Sequence, residues 1–355
     1  MPGDQYPKLR VASVQASPVF LDRDATIEKL EKLVGEAKEN GADLVVFPES
    51  FVPAYPVWCL IYPPIDQHPF FKRLFENSVL IPSPAFRKLG EIARNNKIFL
   101  SVGVTEKSEN SMGAMWNTNL LFDRNGELIN RHRKIIPTWA EKLVWSFGDG
   151  SSLRVNDTEI GRIGALICGE NTNTLARYSL LAQGEQIHIS TYPPCWPIMR
   201  TSKHSGGYNI QDVIRIRAAS HAFEGKVFNI ASSGVLDSDA IEQLSQGDSE
   251  IRSFLENVAK PASMIVGPDG EYVVDPIVGD EGIVYADLDT SIEIPLKGVH
   301  DIVGSYQRFD IFQLSVNQTP FTPVRFYNNN EGEGPKSLSI FEEQLSNDYV
   351  FSEEK

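Results

Sequence analysis

The strongest constraint on this chain is the order of its predicted elements, which runs strand, helix, strand, helix, strand, hairpin, and then repeats. In the first pass, Leu9 to Gln15 alternates apolar with polar residues, the period of a strand. Asp22 or Asp24 caps a helix with apolar Ile27, Leu30, Leu33 and Ala37 at helical spacing, and Asn40-Gly41 closes it. Leu44 to Phe47 is an all-apolar strand buried on both faces, ended by Pro48-Glu49. A helix over Pro84 to Asn95 and a strand over Ile98 to Thr105 follow. The hairpin consists of Asn117 to Phe122, a turn at Asp123 to Gly126, and Glu127 to Arg133; Asn-Gly between apolar runs is a strong hairpin signal.

The second pass has a strand over Ile163 to Ile167, a helix over Leu175 to Gln183 and a strand over Gln186 to Tyr192. It continues with a helix over Asn209 to Glu224, a strand over Val227 to Ser232, and a hairpin of Ala262 to Val266 with Glu271 to Val274. Ile283 to Leu288 adds one more strand. Helices joining parallel strands place the chain in the α/β class. The doubled order makes 8–290 two similar layers of one domain, which we bound at 8–316, with a mobile tail over 317–355 rich in Asn, Glu, Gly and Ser. Phe321, Val324 and Phe326 in that tail are candidates for docking on a neighbour.

Three stretches fall outside the pattern. Tyr55 to Pro84 is aromatic and proline-rich without clear period, and reads as pocket wall or subunit contact. Ile135 to Ser152 reads as an aromatic loop carrying Glu141. Val235 to Lys260 is polar and charged, and reads as a surface insertion whose helical piece, Ile251 to Val258, is solvated.

Composition removes several classes of function. Lys plus Arg number 33 against 47 Asp plus Glu, and the net charge of −14 argues against nucleic acid or an anionic membrane as partner. Three cysteines without CxxC spacing argue against a disulfide framework or a zinc site, and six histidines include no HExxH, so no metal or other cofactor is expected. The N-terminus lacks the basic-then-apolar pattern of a signal peptide, and no apolar run reaches membrane-spanning length, so the expected location is cytoplasmic.

Chemistry concentrates at strand ends. Cys168 stands where the apolar strand stops, followed by Gly169, Glu170 and Asn171, and open α/β sheets bind ligands at such edges. Gly169 allows a sharp turn that brings a peptide N–H near whatever the sulfur attacks. A buried core cysteine is the plain alternative. Glu49 ends another strand and Lys134 ends the first hairpin, with Glu141 close behind. A thiol of pKa about 8.5 is mostly protonated at neutral pH. A neighbouring carboxylate can take its proton while a lysine holds charge on the attacked group, which is the outline of acyl transfer. His132 is the one histidine near a candidate, and strand alternation points it to the side of Lys134. Taken singly, Glu49 and Glu141 also read as surface or helix-start charges, and Arg131 to Lys134 as a solvated basic run.

Phe47-Pro-Glu49, Arg131-His-Arg-Lys134-Ile-Ile-Pro-Thr138 and Gly161-Arg-Ile-Gly-Ala-Leu-Ile-Cys168-Gly-Glu170 resemble, in order, the three signature blocks of the nitrilase superfamily of carbon–nitrogen hydrolases. The resemblance covers about Leu9 to Phe312 and implies a four-layer αββα sandwich. It implies Glu49 as general base, Lys134 as electrostatic stabiliser, Cys168 as nucleophile and Glu141 as a second carboxylate that positions substrate or water. Glu141 to Trp145, Gly148 to Ser151, Leu175 to Gly184 and Asp301 to Asp310 resemble the nitrilase branch in particular. The resemblance further implies homodimers that assemble into larger oligomers or spirals.

The expected activity is hydrolysis of an arylaliphatic or aliphatic nitrile to acid and ammonia. An amidase, carbamoylase or cyanide-degrading enzyme using the same residues is the alternative, and a catalytically idle assembly module a further one. Tyr55, Trp139 and Tyr192, with Gly169 and Asn171, are the candidate substrate-binding residues. Many nitrilases carry Trp and His where this chain has Gly169 and Asn171, and the lost indole is expected to enlarge the space beside the sulfur.

Overall fold

The computed structural model describes residues 5–196 and 209–322. The chain divides into a unit of residues 1–318 and a second of 319–355, and every element named here belongs to the first. In its first half run β1 (Lys8–Gln15), α1 (Arg23–Glu39), β2 (Leu44–Val46), α2 (His68–Asn77), β3 (Val79–Leu80), α3 (Pro84–Asn96), β4 (Phe99–Lys107), β5 (Met115–Phe122) and β6 (Leu128–Arg133). The second half runs β7 (Asn156–Thr158), β8 (Gly161–Ile167), α4 (Thr174–Leu181), β9 (Ile187–Tyr192), α5 (Ile210–Gly225), β10 (Phe228–Ser233), α6 (Ser238–Ser245), α7 (Ser249–Glu256), β11 (Ala262–Val266), β12 (Ile277–Val278), β13 (Gly282–Asp289) and α8 (Glu293–Val299).

Each half builds one mixed sheet. The first has strand order β13-β1-β2-β4-β5-β6, with β3 also paired to β4; the second has β12-β11-β10-β9-β8-β7. Parallel trios, β1-β2-β4 and β8-β9-β10, sit inside each sheet, as the doubled strand-helix order requires. The last strand, β13, crosses back and pairs antiparallel with β1, closing the first sheet with the chain's far end.

Strand alternation sorts side chains between layers. Leu9, Val11, Leu44 and Val46 meet Ile163, Ala165, Ile187, Ile189 and Ile230 in one buried cluster, so the two sheets pack face to face. Their neighbours Ala12, Val14, Val45 and Phe47 turn the other way onto α1 and α3. Ile167, Tyr192 and Ala231 likewise pack on Ile210, Ile214 and Ala218 of α5. The result is the αββα order. Fully burying a Val, Leu or Ile contributes about 1.5–3 kcal/mol, so this apolar stack is the main source of the fold's stability. Polar ties also cross the sheet interface: Ser13 Oγ donates to Ala231 O at 2.8 Å, and Ser232 Oγ to Val14 O at 2.6 Å.

Several expectations are corrected. The stretch Tyr55 to Pro84 contains α2, whose Phe70 and Leu74 share a buried cluster with Trp58 and Tyr55. No side-chain cap marks its start, so the sequence offers little to announce it. Val235 to Lys260 is not a solvated insertion: α6 and α7 bury Ala240, Ile241, Leu244, Ile251 and Leu255 in that same cluster. Glu271 to Val274 returns antiparallel as expected, with the bridge between Tyr272 and Val266 flanked by Gly267 N–H to Glu271 O at 2.8 Å and Val273 N–H to Ile265 O at 2.9 Å, and β12 extends the pairing along β11. Val324, Phe326 and the rest of the expected tail beyond residue 322 lie outside the described residues.

Candidate active site

Three chain turns at strand ends converge. After β2 the chain bends at Pro48 to Ser50, with Ser50 in the left-handed region at φ 48°. Gly103 of β4 makes room for this bend, since a Cβ there would lie 2.2 Å from Pro48 O. Glu49 is 2% exposed. Its Oε1 accepts from Asn117 Nδ2 at 2.6 Å and from Lys134 Nζ at 2.7 Å, while its buried Oε2 has no partner.

Lys134 follows β6 directly, its N–H donating to Asn117 O at 2.8 Å. The buried ammonium bridges two carboxylates, donating to Glu49 Oε1 and to Glu141 Oε2, each at 2.7 Å. Glu141 stands in a short 3-10 turn capped by Thr138, whose N–H donates to Glu141 Oε2 at 2.7 Å. Tyr55 OH donates to the other oxygen, Oε1, at 2.8 Å. Every oxygen of Glu141 is therefore occupied, whereas one of Glu49 is free.

Cys168 begins a 3-10 turn at the end of β8 and itself takes the left-handed conformation, φ 48°. Such a conformation is costly for a residue with a Cβ and persists only where the surroundings hold it. Glu170 is one such holder. Its Oε2 accepts from Ile167 N at 2.8 Å and pairs with His132 Nε2 at 2.9 Å, and its Oε1 accepts from Ile135 N at 2.6 Å. Asn171 is the other, donating from Nδ2 to Leu166 O at 3.2 Å and Cys168 O at 3.1 Å. The left-handed residue is thus the cysteine, not Gly169 as the sequence suggests.

The charges divide the labour. Burial pushes the Glu49 carboxyl up to about 7, against the pull of Lys134 and with the help of Glu141. Burial works against the Lys134 ammonium, but Glu141 and Glu49 outweigh it and hold its pKa well above the usual lysine value. Burial, then the nearby Glu49 charge, pushes the Cys168 thiol well up, with Lys134 pulling the other way. The thiol therefore needs a base to lose its proton. Glu49, half ionised near neutral pH and with a free oxygen, is suited to that task.

Other expected residues are placed differently. The Tyr55 hydroxyl serves Glu141 while the residue lines a cavity together with Glu49, and the Asn171 amide is spent on backbone and on His188. Gly169 lies against Thr138, where a Cβ would come within 2.7 Å of Oγ1, so the absent indole leaves no open space there. Trp139 is 63% exposed and meets Trp196 edge-on at 6.2 Å. Tyr192 is buried beside Cys168, with its OH unpartnered. His132 is held between Ser152 Oγ and Glu170, not beside the thiol. Arg131 and Arg133 are not a solvated run, because both pair with the fully buried Glu106.

Asn117 and Glu170 are the functional residues that sequence reasoning misses. Asn117 carries no signal, since it looks like any polar residue of a hairpin. Glu170 lies inside a quoted motif, and its position two residues after Cys168 is the available clue. Among the described residues, Glu185, His188 and His221 form the one group whose donor atoms could suit a metal. Those atoms already face one another at hydrogen-bond distance, 2.7 Å for both Glu–His pairs. No helix of the described residues is long and apolar enough to cross a membrane.

Comparison with known proteins identifies the family. The sequence profile of the Carbon-nitrogen hydrolase family matches residues 10–294. A protein named Nitrilase from Bacillus sp. strain OxB-1 is 37% identical over 340 residues, covering 95% of this chain and 95% of that one. Another of that name from Paraburkholderia phymatum is 34% identical over 316 residues, 89% of this chain and 88% of its own. Among solved structures, a carbon-nitrogen hydrolase from Helicobacter pylori G27 has the same fold, with TM-score 0.67 at 19% identity over 86% of this chain and 97% of that one. With its sandwich fold and buried Glu-Lys-Cys site, the chain belongs to the carbon–nitrogen hydrolases, in their nitrilase branch.

Proposed function

We propose that the protein hydrolyses organic nitriles to carboxylic acids and ammonia through a covalent bond to Cys168. The observation that carries this reading is the Glu49 carboxylate: one oxygen is clamped by Asn117 and Lys134, the other is buried without a partner, and the Glu49 charge is near enough to push the Cys168 thiol up. Glu49 takes the thiol proton, and the sulfur adds to the nitrile carbon. The nitrogen receives a proton from Glu49, giving a thioimidate. Water adds next; its two protons pass in turn by way of Glu49 to the nitrogen, which leaves as ammonia. A thioester remains, which a second water hydrolyses to the acid, returning the proton to Cys168. Lys134 stabilises the negative charge that develops at nitrogen and later at oxygen. Glu141, with all its oxygens held, fixes Lys134 in place.

The aromatic pair Trp139–Trp196 stands near the Cys168 turn, since Thr138 packs against Gly169, and supports an apolar arylaliphatic or aliphatic substrate. Ammonia release from purified protein tests the reading, with phenylacetonitrile, mandelonitrile, benzonitrile and an aliphatic dinitrile each paired with its amide. Release from nitriles, abolished in a folded Cys168→Ala variant, is the expected result. Release from amides alone would transfer the same mechanism to an amidase. Undiminished turnover by Cys168→Ala would remove the covalent mechanism altogether.

A further inference from the structure

A chain of buried polar groups runs beneath the Cys168 turn and takes no part in the mechanism above. It starts at His221 on α5, passes through Glu185 just before β9 and His188 within β9, and ends at Asn171. His188, His221 and Glu185 are all fully buried.

Hydrogen-bond direction fixes the protons. Asn171 donates both amide hydrogens to carbonyl oxygens, those of Leu166 and Cys168, so its Oδ1 is the atom that faces His188 Nε2 at 2.8 Å. An amide oxygen only accepts, and His188 Nε2 must carry a hydrogen. On the other side of the ring, Nδ1 lies 2.7 Å from Glu185 Oε1. Burial disfavours the Glu185 carboxylate, but the two imidazoles outweigh it and hold its pKa down at about 2. His221 then donates its single hydrogen from Nε2 to Glu185 Oε2 at 2.7 Å. Its pKa is pushed down to about 4 by burial first and by His188 next, and its Nδ1 has no partner. Among the described residues, Arg177 near His221 and Glu293 near Glu185 also face this group.

We infer that His188 is a positioning residue for Cys168: through Asn171 it anchors the carbonyl of the left-handed cysteine and so aims the sulfur. The inference rests on Cys168 being the nucleophile. Cys168 O accepts from Asn171, Asn171 is oriented by His188, and His188 is locked by Glu185, so a displacement anywhere along the line reaches the reacting atom.

Histidine-selective 15N labelling of the intact protein, with His188→Gln to assign the signal, tests the protonation state. A hydrogen on His188 Nε2 is expected, as the Asn171 oxygen requires; a bare Nε2 would overturn the inference. Kinetics test the positioning. His188→Asn keeps an amide near Glu185 but no longer reaches Asn171, and misaiming of the nucleophile should lower kcat by about 100-fold with KM little changed. His188→Gln, whose amide can still donate to Asn171, should recover much of that loss. Equal kcat in a folded His188→Asn variant and the parent would overturn the positioning role. If His188→Asn does not fold, Asn171→Ala reads the same link, and unchanged kcat there has the same meaning. The nitrogen spectrum does not depend on turnover, so failure of Cys168 as nucleophile, read from Cys168→Ala, stays distinguishable from failure of this inference.

Discussion

At the scale of single residues, the free oxygen of Glu49 decides how activity depends on pH. A base acts only as its carboxylate, and burial holds this one up to about 7. The kcat/KM profile should therefore rise through a limb near that value and fall away on its acid side; a flat profile down to the usual carboxylate range would exclude Glu49 as base. Glu49→Gln removes the base while preserving shape and the bond from Asn117, and kcat should fall by about 10²–10⁴. Glu49, Lys134 and Cys168 were legible in the sequence because each stands at or just beyond the end of a strand and sits in a stretch that resembles a family signature block. Asn117 and Glu170 were not, because their importance comes from partners such as Glu49 and Ile135, which only the folded sheet brings near. Tyr55 and Asn171 were legible as residues of the site but not in orientation, since an aromatic or amide beside a pocket can point its polar end inward or away.

At the scale of elements, the strand-helix alternation was readable because each piece satisfies its own period and cap. Asp22 accepts from Ala25 N, and Ser83 from Phe86 N, as their sequence positions imply. α6 and α7 were misread because their polar faces dominate the composition of 235–260, while their apolar faces are short. The packing gives a direct test. Leu244 and Leu255 are fully buried in the cluster around Trp58, so Leu244→Ala or Leu255→Ala should each cost about 2–5 kcal/mol in denaturant unfolding. Ser253→Ala, on the exposed side of α7, should change stability by less than about 0.5 kcal/mol. Equal, small effects at all three positions would return these helices to the surface role first assigned to them.

Across the whole molecule, buried titratable groups pull stability in opposite directions as pH changes. Glu106 is held at about 2 because Arg131 and Arg133 outweigh burial, and Glu185 at about 2 by its two histidines, both below the ordinary 4.5. Between those values the unfolded chain binds protons that the folded chain refuses, so their contribution is complete above pH 4.5 and lost as pH falls toward 2. Glu49 at about 7 and Glu293 at about 8, each raised chiefly by burial, act the other way. From pH 4.5 upward the unfolded chain ionises them while the folded chain keeps their protons, which penalises folding until pH passes 7 and 8. His221, lowered from 6.5 to about 4, adds stability above 6.5 that is lost as pH falls to 4. Within 4.5–6.5 it offsets one of the two acids; above that interval the acids act alone. The unfolding temperature should therefore be higher at about pH 5.5 than at about pH 3.5 or pH 8. Glu293→Gln, remote from the catalytic groups, should flatten the decline on the alkaline side. A melting temperature that climbs steadily from about pH 5.5 to pH 8 would show that Glu49 and Glu293 are ionised in the folded protein, and would remove the raised base on which the catalytic reading of Glu49 depends.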